Sequence, residues 1–516
     1  MSEEVELRLA AHPRDLKRLS RRAHLNGFSL APARTHKLHS VYYDTRGLDL
    51  AKAGLALRVR RTQDGFVQTV KNAGNGALAN ARTEIECAVN SQQPDVAAIP
   101  DDGMRAAVQT LAGTETLEPL VETDIVRTTR LLKTGAGDEV ELAFDEGEIR
   151  PNGNGSVVPV SELELELKQG SPLALYEAAR DLSRRAPLAV EIESKAERGL
   201  RALQGRGIDT PKAGRISLSP DCTAEEAFRT TLQHCLTHIS RNVLAVGEAR
   251  DPEGVHQIRV GLRRLRAALS GYGDCFRVRA LEDLRSRAKT LADIFGATRE
   301  LDVFANELLK PVEDASKREG LPQLRLALEE LHREAWNRSA KLVHSDDFTG
   351  FLIDLAAAIE GRIWREHPSP EQIREFERPA RELACGVLDR LLKKACKHAK
   401  HLSRLGVEQR HRLRISLKKL RYGAEFFAPI FAQKPVGDFL QRLSKLQDLF
   451  GALNDAATAE SILRRLVEHA GEQGSPALHE AAAFVDGWHQ SRIEPTWKQA
   501  KKRWKRFSKT EPFWRT

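Results

Sequence analysis

Across the first two hundred residues, apolar and polar side chains alternate one by one. VELRLA, HSVYYDT, LALRVRR, FVQTVKN, RTEIECAV, DIVRTTRLL, EVELAFDE and ELELELK all keep this period of two. It is the signature of a strand whose two faces meet different surroundings. Turn-forming runs such as QDG, KTGAGD and RPNGNGS lie between them. Helical spacing shows only near Pro13–Leu25 and Leu173–Ser183. Many short strands with few helices predict an antiparallel α+β domain, with a closed barrel as the arrangement that leaves no open edge. From about Thr223 the period lengthens to that of a helix and stays so almost to the end. Between the two regimes, Gln204–Thr223 carries glycines and prolines and reads as a linker. A chain of 516 residues is too long for one core. The expected division is a strand domain over 1–205, a linker over 206–219 and an all-α domain over 220–505.

Charge follows the same boundary. Residues 1–210 hold 28 basic and 31 acidic side chains, a net of −3, whereas 211–516 hold 53 and 41, a net of +12. The helical half is therefore the one whose field attracts polyanions. No apolar run approaches the length of a membrane helix. The start MSEEVELRLAAHPRDLK lacks the basic and apolar regions of a signal peptide. Six cysteines are scattered without C-x-x-C spacing. Together these features predict a cytoplasmic protein with reduced thiols and no membrane partner. The basic, aromatic stretch KQAKKRWKRFSK near the C-terminus reads as a solvated helix end.

The strands depart from the common pattern in one respect: their polar side is heavily charged. Glu4, Glu6 and Arg8 share a face of the first strand, and Glu162, Glu164, Glu166 and Lys168 share a face of a late one. Glu139, Glu141 and Asp145 do the same, as do Arg58 with Arg60 and Glu84 with Glu86, and Glu191, Glu193 and Lys195 read as one more set. A face in water explains one such strand. Repetition over so many strands needs another reason, because massed carboxylates repel one another unless a cation sits among them. Hard divalent ions such as Mg²⁺ or Mn²⁺ take oxygen ligands and share them with a phosphate substrate. Arginines and lysines on neighbouring strands hold phosphate oxygens. A barrel with its charged face inward would gather both sets in one cavity.

EVELR, SVYYDTRGLDLAKAGLALRVRR, VQTVKNA, RTEIE, ELELELK and ESKAERG together resemble the CYTH family of triphosphate tunnel metalloenzymes. The resemblance covers about 1–205 and rests on an E-x-E-x-K-like start, the YYDT strand followed by LRVR, and the E-x-E-x-E strand. It implies a closed antiparallel tunnel of eight strands that hydrolyses triphosphates, such as inorganic tripolyphosphate or thiamine triphosphate, or in some members cyclises ATP. By position, it places Glu4, Glu6, Glu162, Glu164 and Glu166 at the metal, and Arg58, Arg60, Lys71, Arg127 and Lys195 on the substrate. Glu84, Glu86, Glu141 and Asp145 become further tunnel acids. Turnover would rest on Glu4, Glu6, residue 8 and Lys71. One position departs: the signature lysine is Arg8, which keeps the charge but is forked, bulkier and unable to give up its proton.

In the helical half, HQIRVGLRRLRAAL places His256, Arg259, Arg263 and Arg266 on one helix face, beside an apolar stripe of Ile258, Leu262, Leu265 and Leu269. HRLRISLKKLRYGAEF repeats this with His411, Arg414, Lys418 and Arg421, beside Leu413, Leu417 and Leu420. The repeat runs further: FGATRELDV begins at Phe295 and FGALNDAAT at Phe450, so each glycine follows its histidine by 40 residues and the copies are 155 residues apart. This is one helical unit present twice. No acid lies within the eleven residues from His256 to Arg266 or from His411 to Arg421, so each face must meet solvent, acids from other helices or an anion.

These two H-x-x-R-x-x-x-R/K-R/K-x-R motifs resemble those of the CHAD domain, over about 220–505. The resemblance implies two pseudo-symmetric helical bundles that bind inorganic polyphosphate through His256, Arg259, Arg263, Arg266, His411, Arg414, Lys418 and Arg421. Arg264, Lys419 and Tyr422 are second choices. Protonated histidines would add to such binding, and Asp302 and Asp455 are expected to pair with the basic helices. Aromatic content of 6% leaves few stacking platforms, which disfavours nucleic acid as the partner. The leading expectation is a Mg²⁺- or Mn²⁺-dependent inorganic triphosphatase held on polyphosphate, including polyphosphate granules. The alternatives are a non-catalytic polyphosphate-binding protein with a degenerate tunnel, a thiamine triphosphatase and an adenylate cyclase.

Overall fold

The structure is a computed structural model that describes residues 2–21, 24–72, 78–153, 155–273, 276–470 and 475–515. It divides into two compact units. The first comprises Met1–Thr210 with Ser240–Ala249 and Leu342–Gly361; the second comprises Pro211–Ile239, Arg250–Lys341 and Arg362–Thr516.

The first unit is built on one antiparallel sheet. Its strands are β1 (Ser2–Ala11), β2 (Phe28–Leu30), β3 (Arg34–Asp44), β4 (Leu55–Thr62), β5 (Gly65–Asn72), β6 (Asn80–Val89), β7 (Glu118–Thr134), β8 (Glu139–Pro151), β9 (Val158–Gln169) and β10 (Leu188–Val190). They run in the order β10-β1-β6-β5-β4-β3-β7-β8-β9, with β2 on β7 and a further pairing of β1 with β9. The expected eight-stranded closed sheet is therefore corrected to a ten-stranded sheet with this order. The two additional strands, β2 and β10, are three residues each, too short for an alternation to register.

Apolar alternation is spent on one face. Leu7 and Leu9, Val140, Leu142 and Phe144, and Leu163 and Leu165 are all buried. Further round the sheet, Val41, Leu57, Val59, Val70 and Ile85 form a cluster with Ile99 and Val108, the latter on the helix Asp102–Ala112. Helices also form at Pro13–Ser20 and Pro172–Ser183, near the expected places, each opening on a proline. Within this unit, Arg180 of the second joins Asp346 and Asp354 of the helix Asp346–Glu360.

One expected strand face is a helix. Glu191, Glu193 and Lys195 alternate in sequence, but β10 ends at Val190 and a helix runs over Lys195–Leu203. Ser194 caps it, and Glu197 reaches back to close a capping box. The S-x-x-E spacing starts the helix and overrides the apparent period of two.

The second unit is all-helical. The first basic helix is Pro252–Gly271, capped by Asp251, and the second is Val407–Phe427. Each is followed by a helix that carries one FGA segment, Arg279–Val303 and Gln433–Ala470. Phe295 and Phe450 are buried at matching places, as are Ile258, Leu262 and Leu265 in one copy and Leu413, Leu417 and Leu420 in the other. The sequence repeat is thus a repeat of packed helix pairs. Near the C-terminus, Trp497, Trp504 and Phe507 of the helix Ile493–Phe507 are core residues; only its basic face fits the expected solvated end. Five cysteines are free, and Cys275 lies outside the described residues. Among the described residues, no helix is long and apolar enough to cross a membrane.

Candidate functional site

Strand register decides which side chains share a face, because residues directly opposite one another point the same way. Glu6 lies opposite Glu166, and Arg8 opposite Glu164, on β9. Glu162 and Glu166 lie opposite Asp145 and Glu141 on β8, and Asp145 lies opposite Arg127 on β7. On β3, which pairs with β7, Ser40 and Tyr42 lie opposite Arg60 and Arg58 of β4. Arg58 lies opposite Thr69 on β5, and Thr69 and Lys71 opposite Glu86 and Glu84 on β6. The charged residues singled out in the sequence on these strands therefore line one continuous face. Glu6, Arg8, Asp145 and Glu162 are buried on it, so a face in water does not explain the charge pattern.

Ion pairing on this face is dense. Arg127 grips Asp145 with two hydrogen bonds, at 2.7 and 2.6 Å, and also reaches Glu164. Lys195, delivered by the first turn of its helix, lies 2.7 Å from both Asp145 and Glu164 and also touches Glu162. Burial pushes the Glu164 carboxyl up, but Arg127 and Lys195 outweigh it and hold the group well below the ordinary range. Arg198 pairs with Glu162 and lies 3.7 Å from Glu191. Lys71 bridges Glu4 at 3.0 Å and Glu84 at 2.8 Å. Burial, then the adjacent Glu84, nonetheless push the Glu4 carboxyl up. Glu166 is also pushed up by burial, despite Lys168 at 2.6 Å.

Arg60 is the exception among these cations. Its Nε donates to Ser40 Oγ at 3.1 Å, and no carboxylate among the described residues lies within ion-pair distance. Burial, then Arg58 and Arg127, push its guanidinium down to about 10. Arg58, Arg60 and Arg127 thus form a positive pole next to the carboxylates, suited to an anion with several oxygens. Asp145, Glu162 and Glu164 each offer a carboxylate oxygen within 4.8 Å of the other two. Such a donor set fits a hard divalent cation. Asp145 belongs to this cluster; Glu4, Glu6 and Glu166 share the face but lie outside it.

In the helical unit the two basic helices turn their cations toward each other. Lys418 is half-buried, and burial, then Arg263, Arg414 and Arg259, push its ammonium down to about 6; Asp455 is the opposing acid. Arg263 and Arg414 each have a buried Nε with no hydrogen-bond partner. Arg259 lies 3.6 Å from Glu300 and packs over Gly296, where an added Cβ would sit 3.3 Å from its guanidinium. The equivalent Gly451 of the second copy has no such neighbour. Burial, then Arg299, with Arg263 and Arg259, push the His256 imidazole down to about 4. Without an anion beside it, this imidazole is neutral at pH 7. His411 is exposed, with Nδ1 2.9 Å from Asn454 Oδ1.

The other motif residues lie elsewhere. Arg421 pairs with Glu425 at 2.7 Å, and the same carboxylate takes Arg264, which also stacks on Phe426. Arg266 faces Asp293 and Arg285, and Lys419 faces Lys394, Arg266 and Arg285. Asp455 does face the second basic helix, but Asp302 pairs with His332 at 2.6 Å, not with a basic helix.

Residues 2–200 match the family model of the CYTH domain, and residues 230–464 that of the CHAD domain. The chain carries both domains. The protein named inorganic triphosphatase in Haemophilus influenzae is 29% identical over 201 residues, 39% of this chain, and the chain spans about half of that relative's length, 54%. The structure of a CHAD domain from the plant Ricinus communis is 27% identical, with a TM-score of 0.48, and is covered over 97% of its length by 57% of this chain. A Hippeastrum protein whose structure is described as revealing a dominant triphosphatase activity is 18% identical, with a TM-score of 0.28, and covers 39% of this chain and 96% of its own.

Within the CYTH domain, sequence reasoning missed Arg198. Its signal is the i, i+3 spacing from Lys195 on a helix mistaken for a strand. Within the CHAD domain it missed Arg299, which sits in the quoted FGATRELDV segment but was weighed only through its aspartate.

Proposed function

We propose that the CYTH domain hydrolyses inorganic triphosphate with the help of a divalent cation, and that the CHAD domain binds inorganic polyphosphate. The single observation that supports the first half most is the shared sheet face, which gathers buried carboxylates together with Arg58, Arg60 and Arg127. On this reading the additional β1–β9 pairing sets the charged sides of β1 and β9 next to each other on that face. Arg58, Arg60, Arg127 and Lys71 hold phosphate oxygens. Mg²⁺ or Mn²⁺, held by Asp145, Glu162 and Glu164 with Glu4, Glu6 and Glu166 nearby, supplies charge neutralisation when bound. Glu4 and Glu6 orient a water for in-line attack on the terminal phosphoryl group, and the arginines stabilise the charge that develops on its oxygens.

For the CHAD domain, the supporting observation is the convergence of Arg259, Arg263, Arg414 and Lys418 with so little acid among them. A linear polyanion is the partner that relieves their repulsion, and polyphosphate granules are where such a protein would gather. A second reading, binding without turnover, draws on Lys195, which already neutralises the three-carboxylate cluster.

Phosphate release from tripolyphosphate, ATP, thiamine triphosphate and long-chain polyphosphate, each with Mg²⁺ or Mn²⁺, separates these readings. Metal-dependent release from tripolyphosphate is expected. No release from any of the four, with long-chain polyphosphate still bound, leaves the binding protein.

A further inference from the structure

Arg8 stands where the family signature has a lysine, and its surroundings show what the change does. The side chain is buried, and each of its three nitrogens has a protein partner. Nε lies 3.2 Å from Glu6, Nη1 donates to the carbonyl of Glu193 at 3.0 Å, and Nη2 donates to the carbonyl of Ile192 at 2.8 Å. The backbone takes part as well: the Arg8 carbonyl accepts from the Glu191 N–H at 3.0 Å, and the next residue, Leu9, pairs with Val190 of β10. Residues 190–193 are thus zipped along Arg8. Immediately after them come Ser194, the helix cap, and Lys195, whose ammonium touches Asp145, Glu162 and Glu164.

We infer that Arg8 is a positioning residue: it fixes the segment that delivers Lys195 to the carboxylates and orients Glu6, and it does not itself touch substrate. This rests on the triphosphatase reading for its functional consequence. A lysine cannot reproduce the arrangement, because one ammonium cannot span a carboxylate and two carbonyls in the way a planar fork does. The arginine is therefore a structural commitment of this chain, in which charge at position 8 is spent on the protein.

A double-variant cycle tests it. Arg8→Lys is expected to lower kcat for tripolyphosphate about tenfold, because a displaced Lys195 no longer holds Asp145, Glu162 and Glu164 in place. The Arg8→Lys/Lys195→Met protein is expected to be no slower than Lys195→Met alone, since the first substitution acts through the second residue. Amide hydrogen exchange supplies a readout that does not need turnover: Arg8→Lys should speed exchange across 192–203 about tenfold, with little change in β4 and β5. Should Arg8→Lys fail to fold, Arg8→Gln, which keeps a side-chain donor for one carbonyl, takes its place in both measurements. Effects of the two substitutions that multiply, or exchange across 192–203 that stays unchanged, would overturn the inference. Absence of any phosphate release from the unaltered protein would instead overturn the triphosphatase reading, with the exchange measurement still deciding the role of Arg8.

Discussion

The two units solve opposite electrostatic problems. On the strand face nearly every acid has a cation at ion-pair distance, as with Glu4 and Lys71, Glu6 and Arg8, and Glu164 with both Arg127 and Lys195. Between the basic helices, Arg263, Arg414 and Lys418 meet other cations, with Asp455 beside only Arg414 and Lys418 of the three. A compensated buried network holds its geometry without a ligand, and removing one member leaves its partners buried and unbalanced. A group of like charges is strained without a ligand, and removing one member relieves the rest. The difference teaches that similar residue types can be built for positioning in one place and for capture in another. Stability measurements tell the two apart.

The largest contrast is expected from one substitution in each unit. Arg127→Met strips Asp145 and Glu164 of a partner and should destabilise the CYTH domain by about 3 kcal/mol, besides abolishing phosphate release. Arg263→Met should leave thermal stability unchanged or raised by about 1 kcal/mol, while polyphosphate affinity falls at least tenfold. Parallel thermal unfolding and binding measurements check both; equal destabilisation in the two units would break the comparison.

A smaller effect is expected from pH. Lys418 is pushed down to about 6, so at pH 7 to 8 it is mostly neutral until an anion arrives. A bound anion favours the charged form, so binding takes up a proton. Affinity for polyphosphate should weaken as pH rises above about 6, by up to about tenfold per unit, and the dependence should flatten in Lys418→Met. Stability runs the other way: the folded pKa lies below the unfolded one, so this residue's contribution is present at high pH and lost as pH falls toward 6. Calorimetry in buffers of different ionisation enthalpy detects the proton directly. The smallest effect is expected from Gly296→Ala, whose methyl group would press on the Arg259 guanidinium. Polyphosphate affinity should fall about twofold to fivefold with no loss of phosphate release.

Much of this was legible in the chain itself. Strict alternation in ELELELK and EVELAFDE located β9 and β8 and assigned their charged sides to one face, because a period of two maps directly onto faces. The helical repeat was legible because leucines and cations recur at fixed spacing. Local rules hid other parts. Glu191, Glu193 and Lys195 mimic a strand, yet the Ser194 cap makes Lys195 the first residue of a helix. Arg421 and Lys418 look equivalent in the motif, but Glu425 binds the first through an i, i+4 pair and leaves the second facing cations. The side-chain partners of Arg8, the Glu193 and Ile192 carbonyls, lie 185 and 184 positions away, which no spacing near Arg8 encodes.

The central claim is that phosphate release and polyphosphate binding belong to two separate charged sites with opposite logic. Its most direct test compares Glu4→Gln/Glu6→Gln with Arg263→Met/Arg414→Met, measuring release from tripolyphosphate and binding of long-chain polyphosphate in each. The account predicts that the first protein loses release and keeps binding, and that the second keeps release and loses binding. Loss of both functions together in either correctly folded protein would contradict it.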